Sequence, residues 1–403
     1  MIDEAAREYI LISLGLDRLE AGIVDSYYGP PELRDEAAQQ DGSAPSLASR
    51  AAKLRSRLEE LTDDAQRRDW LDRQLVAMET LAQRLDGIEM PYLEEVERCF
   101  DARPEQTPPE VYSQVRRDLD ELLPGRGDLR ARIDERDAML TIPTDKLGAT
   151  AEWLATELRN DAAAAWSVPD GDDLVISLVT NEPWSAYNWY DGNLRSRVEY
   201  NVDLPVKANQ LLSGLAHETF PGHHLEHAWK EQRLVRERGY LEASVLLINT
   251  PEAYISEGLA EVGHTLISDA ARWQELLLAI CARAGIALDA AGAEREWRIG
   301  RAARKMRGSG GDAALQLHVA KRTPEEVVRF LEQDALQSPD RAAKSLDFIS
   351  HPLWRTYIFC YAGGQRLLEQ WCAQAGDAAA QKQRYFRLLT EQMTPSAVAA
   401  EMA

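Results

Sequence analysis

The sequence contains few cysteines and places them far apart. Only four of its 403 residues are cysteine (Cys99, Cys281, Cys360 and Cys372), and no two of them form a C-x-x-C pair. This spacing argues against a disulfide framework and against a thiolate metal site. We therefore expect the four cysteines to be small buried side chains in a reducing compartment.

Basic charge and long apolar runs are also scarce. The chain has 67 acidic residues against 46 lysines and arginines, a formal net charge of -21, and no basic aromatic stretch. This composition disfavours nucleic acid and anionic membrane surfaces as partners. The sequence starts MIDEAAREY, acidic where a secretory signal is basic, and no stretch has about 18 uncharged apolar residues. We therefore expect a cytoplasmic protein that binds neither nucleic acid nor membrane.

Apolar residues at helical spacing are abundant. Hydrophobic residues make up 45% of the chain, enough for a large core, and Tyr9, Ile12, Leu16, Leu19 and Ile23 recur at three- and four-residue steps. Further helices are predicted over residues 47–61, 64–85, 92–100, 109–123, 128–138 and 145–166. Segment 25–33, DSYYGPPEL, is predicted to be a turn because two prolines and a glycine interrupt the periodicity.

A short β-type region follows these helices. Residues 173–180, DLVISLVT, are typical of a strand, and two further runs, 184–190 and 193–202, flank Asp191–Gly192, a strong hairpin signal. After residue 205 the chain returns to helical patterns and is expected to stay helical. We divide it into an N-terminal helical region, 1–165, and a catalytic region, 166–403, and expect one continuous helical body.

The histidines indicate the site. All seven lie between residues 217 and 351, and four fall in the segment LAHETFPGHHLEHAW. His217–Glu218 begins like H-E-x-x-H, in which two histidines bind zinc and the glutamate activates a water. Here the fifth position is Pro221, and His223 follows six residues after His217, about 9 Å along a straight helix. We expect a kink at Pro221–Gly222 that brings His223 back beside His217.

A second motif overlaps the first. His223 to His227 match the inverted signature H-x-x-E-H, with His223 and His227 at the metal and Glu226 as the base. Both interpretations use His223, which makes it a better ligand candidate than His224. A metal-free histidine cluster is the third interpretation, and we favour the first.

A catalytic zinc needs a third protein ligand, and Glu257 in AYISEGLAEVGHTLI is the best candidate. Glu261 and His264 follow one and two helical turns later and are expected to hydrogen-bond the ligand histidines from behind. His224, Glu226 and His227 are alternates or supporting groups. We predict one zinc ion per chain, although these ligand types also suit manganese, cobalt or iron.

These residues resemble the bacterial "domain of unknown function 885" family, whose hallmark is H-E-x-x-P-G-H-H followed by Gln or Glu. That family is similar in fold to the Taq-type thermostable zinc carboxypeptidases. The hallmark occupies residues 217–224, with Glu226 after it. The family's second motif, E-G-W-A-x-Y-x-E, corresponds to residues 257–264, EGLAEVGH, in which the Trp, the Tyr and the last Glu are replaced. The likeness covers residues 150–403.

The resemblance also implies roles nearer the C-terminus. Residues 361–364, YAGG, resemble a Tyr-x-x-Gly element of the family. By this resemblance Tyr361 (or Tyr357) would donate a hydrogen bond to the oxyanion of a tetrahedral intermediate. His318 or Arg355 would bind substrate.

Together these features predict a mainly α fold, a large helical zincin-like body with a small sheet or hairpin near the active-site helix. The predicted function is a zinc-dependent hydrolase, a metallopeptidase that acts on short peptides with Glu218 as general base. The hairpin is expected to form one wall of the cleft and offer an edge strand to the peptide. The alternatives are a zinc amidase or esterase acting on a small metabolite, and a catalytically inactive zincin-like binding scaffold. The sequence does not indicate the oligomeric state.

Overall fold

Helices dominate the computed structural model, which describes residues 2–182 and 184–403, and the mainly α prediction is confirmed. The α-helices are α1 (Glu4–Leu19), α2 (Glu32–Gln39), α3 (Ala44–Ser56), α4 (Leu58–Leu61), α5 (Ala65–Leu85), α6 (Tyr92–Phe100), α7 (Pro109–Leu122), α8 (Leu129–Met139), α9 (Thr144–Trp166), α10 (Ala208–Glu218), α11 (His223–Lys230), α12 (Pro251–Ile267), α13 (Ala270–Ala284), α14 (Ala290–Arg304), α15 (Ser309–His318), α16 (Pro324–Gln333), α17 (Pro339–Ser350), α18 (Gln365–Ala373), α19 (Ala378–Thr390) and α20 (Pro395–Ala400). Two π-helical segments, Glu231–Glu237 and Cys360–Gly364, and a 3₁₀ turn, Leu241–Ser244, complete the helical part.

The helices predicted before residue 166 are present, and their ends have physical causes. Helix α5 begins at Ala65 because the Asp64 side chain caps it, accepting hydrogen bonds from the backbone of Gln66 and Arg67. The predicted helix 47–61 is divided into α3 and α4, since the backbone at Arg57 leaves the helical conformation.

A three-stranded sheet lies where the β-type runs were predicted. It contains β2 (Asp173–Val179), β3 (Ala186–Gly192) and β4 (Arg195–Asn201), with β4 in the middle, parallel to β2 and antiparallel to β3. The hairpin turn, however, is formed by Asn193–Leu194, both with positive φ, rather than by Asp191–Gly192 as predicted. The backbone N–H groups of both turn residues donate to the buried Glu231 carboxylate, at 3.1 and 3.2 Å, which stabilises the turn there.

A second, two-stranded sheet was not predicted. Strand β1 (Val24–Tyr27) pairs antiparallel with β5 (Val245–Leu247), so the turn predicted for 25–33 is wrong in its first part. The expectation that the chain stays helical after residue 205 is wrong at β5. Strands of four and three residues are too short to produce a recognisable alternation of polar and apolar side chains.

The core joins segments that lie far apart in the chain. One buried cluster combines side chains of α1, α5 and α6 with β5, α12 and residues 353–360. A second cluster combines α9, α10 and α11 with α12, α13, α18 and α19. All four cysteines are buried and free. Among the described residues, no helix has the length and apolarity needed to span a bilayer.

Candidate metal centre

The junction between α10 and α11 brings two histidines together. Helix α10 ends at Glu218 and α11 begins at His223, so the predicted kink lies between them. At Gly222 a Cβ atom would lie 1.8 Å from the carbonyl oxygen of His217, and only glycine allows the backbone to pass there. The His217 and His223 rings consequently meet edge to face, with centroids 4.7 Å apart.

Helix α12 adds a carboxylate to this pair. Oε2 of Glu257 lies 3.3 Å from Nε2 of His217 and 4.0 Å from Nε2 of His223. One ligand atom from each of the three residues lies within 4.8 Å of the other two. Within the described part of the chain, the buried Glu257 Oε2 makes no hydrogen bond. Two imidazole nitrogens beside a buried carboxylate oxygen form a donor set that fits a divalent cation.

The far atoms of Glu257 and His217 have different surroundings. The Tyr357 hydroxyl donates a 2.6 Å hydrogen bond to Oε1 of Glu257, which leaves Oε2 facing the histidines. Nδ1 of His217 lies 3.6 Å from a carboxylate oxygen of Glu261, which in turn pairs with Arg307. Glu261 is therefore near His217, but 3.6 Å is too long for the predicted hydrogen bond, and Nδ1 of His217 has no hydrogen-bond partner among the described residues. The Tyr357 hydroxyl is a group of the kind that fixes the orientation of a metal ligand.

The far atom of His223 faces a buried ionic network. Its Nδ1 lies 3.2 Å from the Ser256 hydroxyl and 3.4 Å from Glu226. Glu226 also accepts 2.6 Å hydrogen bonds from Lys230 and Ser256, and Lys230 further pairs with Glu252. Burial alone would raise the pKa of Glu226, but Lys230 and His223 hold it well below its usual range.

The inverted motif has its own cluster. His223, Glu226 and His227 also offer ligand atoms within 4.8 Å of one another. The Lys230 ammonium, however, donates a hydrogen bond to the Glu226 carboxylate. A carboxylate paired in this way is a poor general base. The His227 ring stacks on His223 at 5.8 Å, and burial lowers the pKa of His227 to about 3. The geometry therefore favours His217, His223 and Glu257 as the ligand set.

Two other candidate histidines have different surroundings. His224 is fully buried, with its Nδ1 2.8 Å from the Ser196 hydroxyl and its Nε2 3.7 Å from Asp172. These contacts pack α11 against the three-stranded sheet. His264 lies two turns beyond Glu257 on α12. Burial, with the charges of Arg304 and Arg272, lowers the pKa of His264 to about 4. Neither histidine belongs to the clusters of potential ligands found among the described residues.

Glu218 is positioned by the sheet. Its backbone carbonyl accepts a 2.6 Å hydrogen bond from the Asn188 side chain of β3, so the hairpin does pack against this end of α10. Burial raises the pKa of the Glu218 carboxyl, and the charges of His217 and His223 oppose that increase. A raised pKa favours the protonated form of a carboxyl group, which a general base must adopt once it has accepted a proton.

Tyr361 is held near the same groups by a close helix crossing. A Cβ on Gly258 would lie 2.4 Å from the carbonyl carbon of Gly364, so α12 and the π-helical segment touch through their backbones. This contact explains the glycines of the EGLA and YAGG segments. Burial raises the pKa of Tyr361 far above its usual value, and the charges of Glu257 and Glu218 raise it further.

The two predicted substrate-binding residues have partners elsewhere. Nε2 of His318 lies 2.6 Å from the Ile349 carbonyl, and its ring packs on Tyr92 at 4.5 Å. The Arg355 guanidinium pairs with Glu95, a buried residue of α6. The structure therefore does not bring His318 and Arg355 into the histidine cluster.

Asp25 is a carboxylate that the sequence analysis did not single out. Asp25 of β1 accepts a hydrogen bond from the Tyr187 hydroxyl of β3. Burial raises the pKa of Asp25 to about 7; the charge of His223 opposes this, and those of Glu257 and Glu218 add to it. No motif marks Asp25, and its place in the fold depends on the pairing of β1 with β5, which local sequence does not encode.

No protein-family model and no curated protein matches this chain. Among solved structures, it is similar to a "putative lipoprotein" from Colwellia psychrerythraea, with a TM-score of 0.54, 13% identity, and coverage of 90% of this chain and 67% of that one. A "putative lipoprotein of unknown function" from Shewanella oneidensis gives a TM-score of 0.53, 12% identity, and coverage of 89% and 72%. For M32 carboxypeptidase from Deinococcus radiodurans R1 the TM-score is 0.38 and the sequence identity is 13%. That match covers 96% of this chain and 89% of the carboxypeptidase chain.

At these identities the first two matches show a shared fold alone, and the TM-score of the third is too low to support an argument. The family resemblance stated above stays a prediction. The expected cytoplasmic location is wrong, because the two structures that share this fold are described as lipoproteins, a class that a lipid anchors to membranes. The acidic residues at the start of the given sequence were not a sufficient basis for that expectation.

Proposed function

We propose that this protein is a zinc-dependent hydrolase, a metallopeptidase that acts on short peptides. The observation that carries the proposal is the convergence of His217, His223 and Glu257, with Oε2 of Glu257 at 3.3 and 4.0 Å from the two Nε2 atoms. Two histidines and a glutamate are the ligand set of several catalytic zinc sites, which leave one position open for water or substrate.

In this proposal the chain's own residues do the proton transfer. A bound zinc ion supplies a Lewis acid that lowers the pKa of a water to about 7 and polarises a carbonyl. Glu218 accepts a proton from the attacking water and passes it to the leaving amine, a role that its raised pKa supports. Tyr361 donates to the developing oxyanion, because Tyr357 already donates to Glu257.

The sheet supports a peptide substrate. Strand β3 lies at one edge of the three-stranded sheet, and its Asn188 contacts the backbone of Glu218. The Ser26 hydroxyl of β1 donates to the Tyr190 carbonyl, which covers the far end of that edge. An extended peptide can therefore add to the first residues of β3, where main-chain hydrogen bonds bind it without regard to sequence.

Metal content is the first test. Wild type purified without chelator should contain about one zinc per chain by plasma mass spectrometry, and His217→Ala and His223→Ala should lose it. His351→Ala, which removes an exposed histidine outside the cluster, is the matched control and should keep the metal. Wild type that stays metal-free after incubation with zinc would refute the proposal.

Glu218→Gln tests the chemistry. This variant should keep its zinc and lose hydrolysis of a short-peptide mixture by about 10²- to 10⁴-fold, the usual contribution of a general base. Loss of metal in His227→Ala but not in His217→Ala would instead support the inverted ligand set. Hydrolysis of small amides or esters but not of peptides would favour the metabolite hydrolase. Bound zinc with no hydrolysis by wild type or by Glu218→Gln would favour the inactive scaffold.

A further inference from the structure

We infer that Lys230 is a positioning residue for His223, a ligand of the proposed metal. Acting through Glu226 and Ser256, Lys230 fixes the ring proton of His223 on Nδ1 and leaves a lone pair on Nε2, the atom that faces the site. This inference rests on the proposed function, because it concerns how one of its metal ligands is prepared for binding.

These residues form a continuous chain of hydrogen bonds between buried side chains. Nζ of Lys230 lies 2.6 Å from Oε1 of Glu226, and the Ser256 hydroxyl lies 2.6 Å from Oε2 of the same carboxylate. The Ser256 oxygen in turn lies 3.2 Å from Nδ1 of His223. The direct distance from Nδ1 to Glu226, 3.4 Å, is longer than an ordinary hydrogen bond, so Ser256 is the link between the carboxylate and the ring.

The direction of each hydrogen bond in this chain follows from the one before it. An ammonium group can only donate, so Lys230 donates to Glu226, and the pairing keeps both buried groups charged. An ionised carboxylate can only accept, so the hydroxyl hydrogen of Ser256 points to Glu226. The Ser256 oxygen then presents only lone pairs to His223, and Nδ1 must donate to it. A neutral imidazole that has its proton on Nδ1 has none on Nε2.

Lys230 is also held from its other side. It pairs with Glu252 of α12, which accepts a 2.8 Å hydrogen bond from the Trp70 indole of α5. The chain of hydrogen bonds therefore begins on α5, well outside the histidine cluster. Well-packed apolar side chains often stabilise a buried position as well as an ion pair does, so stability alone does not account for a buried lysine here.

The position of the proton matters because Nε2 is the atom of His223 that faces the other proposed ligands. It lies 4.0 Å from Oε2 of Glu257, and the His223 ring meets that of His217 edge to face. A proton on Nε2 would have to leave before a cation could bind there, whereas a proton on Nδ1 does not interfere. Hydrogen-bond partners at the far nitrogen of a ligand histidine change metal affinity by about 10- to 100-fold.

Nuclear magnetic resonance on metal-free protein labelled with ¹⁵N-histidine tests the inference without zinc. At about pH 9, well above the ordinary histidine pKa of about 6.5, the nitrogen chemical shifts report which ring nitrogen carries the proton. The signals of His223 are those missing from His223→Gln. In wild type the Nδ1–H form should exceed the Nε2–H form by about 10- to 100-fold, because the opposite form would take the Ser256 hydroxyl away from a charged acceptor.

Glu226→Gln should reverse the chain of hydrogen bonds. Lys230 can donate only to the amide oxygen, so the amide N–H would donate to Ser256, and the Ser256 hydroxyl would turn to His223. The Nε2–H form should then predominate, and zinc affinity, titrated against a competing chelator, should fall by about 10- to 100-fold. Glu59→Gln makes the same chemical change at an exposed glutamate and should keep the wild-type values of both.

Several results would overturn the inference. Wild type with the proton of His223 on Nε2 does so whatever the variants do, and so does Glu226→Gln that keeps the Nδ1–H form. If Glu226→Gln does not fold, the smaller change Ser256→Ala should lower the wild-type ratio by about 3- to 10-fold, and an unchanged ratio would remove Ser256 from the chain. A reversed proton with unchanged zinc affinity would overturn the positioning role. Wild type that has the Nδ1–H form but binds no zinc would refute the proposed function and leave the hydrogen-bond direction standing.

Discussion

The strongest single test of the metal centre is Gly222→Ala. The added Cβ would lie 1.8 Å from the carbonyl oxygen of His217, 2.5 Å from its carbonyl carbon and 2.7 Å from the carbonyl oxygen of Ala216. Real Cβ atoms essentially never approach other atoms within 3.0 Å, and all three obstacles are backbone, which cannot rotate away as a side chain can. The junction between α10 and α11 must therefore move.

The size of that movement sets the expected effect. Relieving the closest contact requires at least 3.0 − 1.8 = 1.2 Å of displacement between Gly222 and His217. Metal–ligand distances tolerate only about 0.2 Å. We expect zinc affinity to fall by at least about 100-fold, and the free energy of unfolding by about 2–4 kcal/mol, as for a severely overpacked core site.

Zinc titration against a competing chelator and urea denaturation would measure both effects. Gly300→Ala is the matched control, because nothing lies within 4 Å of a Cβ at that helical position. It should bind zinc like wild type and be more stable by about 0.5–1 kcal/mol, since alanine favours a helix. Wild-type zinc affinity in Gly222→Ala would refute the claim that this close approach holds the two histidines together.

Three further predictions concern single side chains. Tyr357→Phe removes the hydrogen-bond donor to Glu257 and should weaken zinc binding about 10- to 100-fold in the same chelator titration. Unchanged zinc affinity would show that Glu257 needs no orienting group. The pKa of His264 is about 4 in the folded protein and about 6.5 in the unfolded chain, so the free energy of unfolding should fall as the pH decreases from about 6.5 to about 4. His264→Leu should reduce the slope of the unfolding free energy with pH in this range by up to about 1.4 kcal/mol per pH unit. Burial alone would raise the pKa of Asp172, but hydrogen bonds from Arg159, together with the nearby His224 ring, hold that pKa at about 2. The Asp172 carboxylate therefore stabilises the folded protein above about pH 4, and this contribution is lost toward about pH 2. Asp172→Asn should therefore cost about 1–2 kcal/mol at pH 7 and little at pH 2, and equal costs at both pH values would contradict this assignment.

Much of the helical architecture was predictable because it is encoded locally. The stripe of apolar side chains in α5, with Asp64 as its cap, depends only on neighbouring residues. The histidine cluster was also identifiable, since His217 and His223 lie six residues apart and a glycine marks the bend. The expectation that Gly222 serves by unusual dihedrals agrees with its φ of -78° and ψ of -138°, a combination outside the helical and extended regions, and the close approach to His217 is a second reason for glycine.

What could not be predicted depends on contacts between distant segments. The position of Asp25 depends on the pairing of β1 with β5, and the hydrogen bond from Tyr357 to Glu257 joins residues 100 positions apart. His318 and Arg355 were assigned by resemblance, but their surroundings are set by packing against α6. No periodicity or spacing contains this information.

The pairing of β1 with β5 also bears on the order of folding. Strand β1 is synthesised well before its partner Leu247 and its neighbour Tyr190, and Tyr190 lies 164 residues after Ser26. Contacts of such large sequence separation form slowly and late. The sheet formed by β1 and β5 cannot exist on a nascent chain that ends before β5, and Tyr357 joins Glu257 later still. Capture of the proposed zinc ion by its full set of ligands and supporting groups is therefore expected to complete folding rather than to start it.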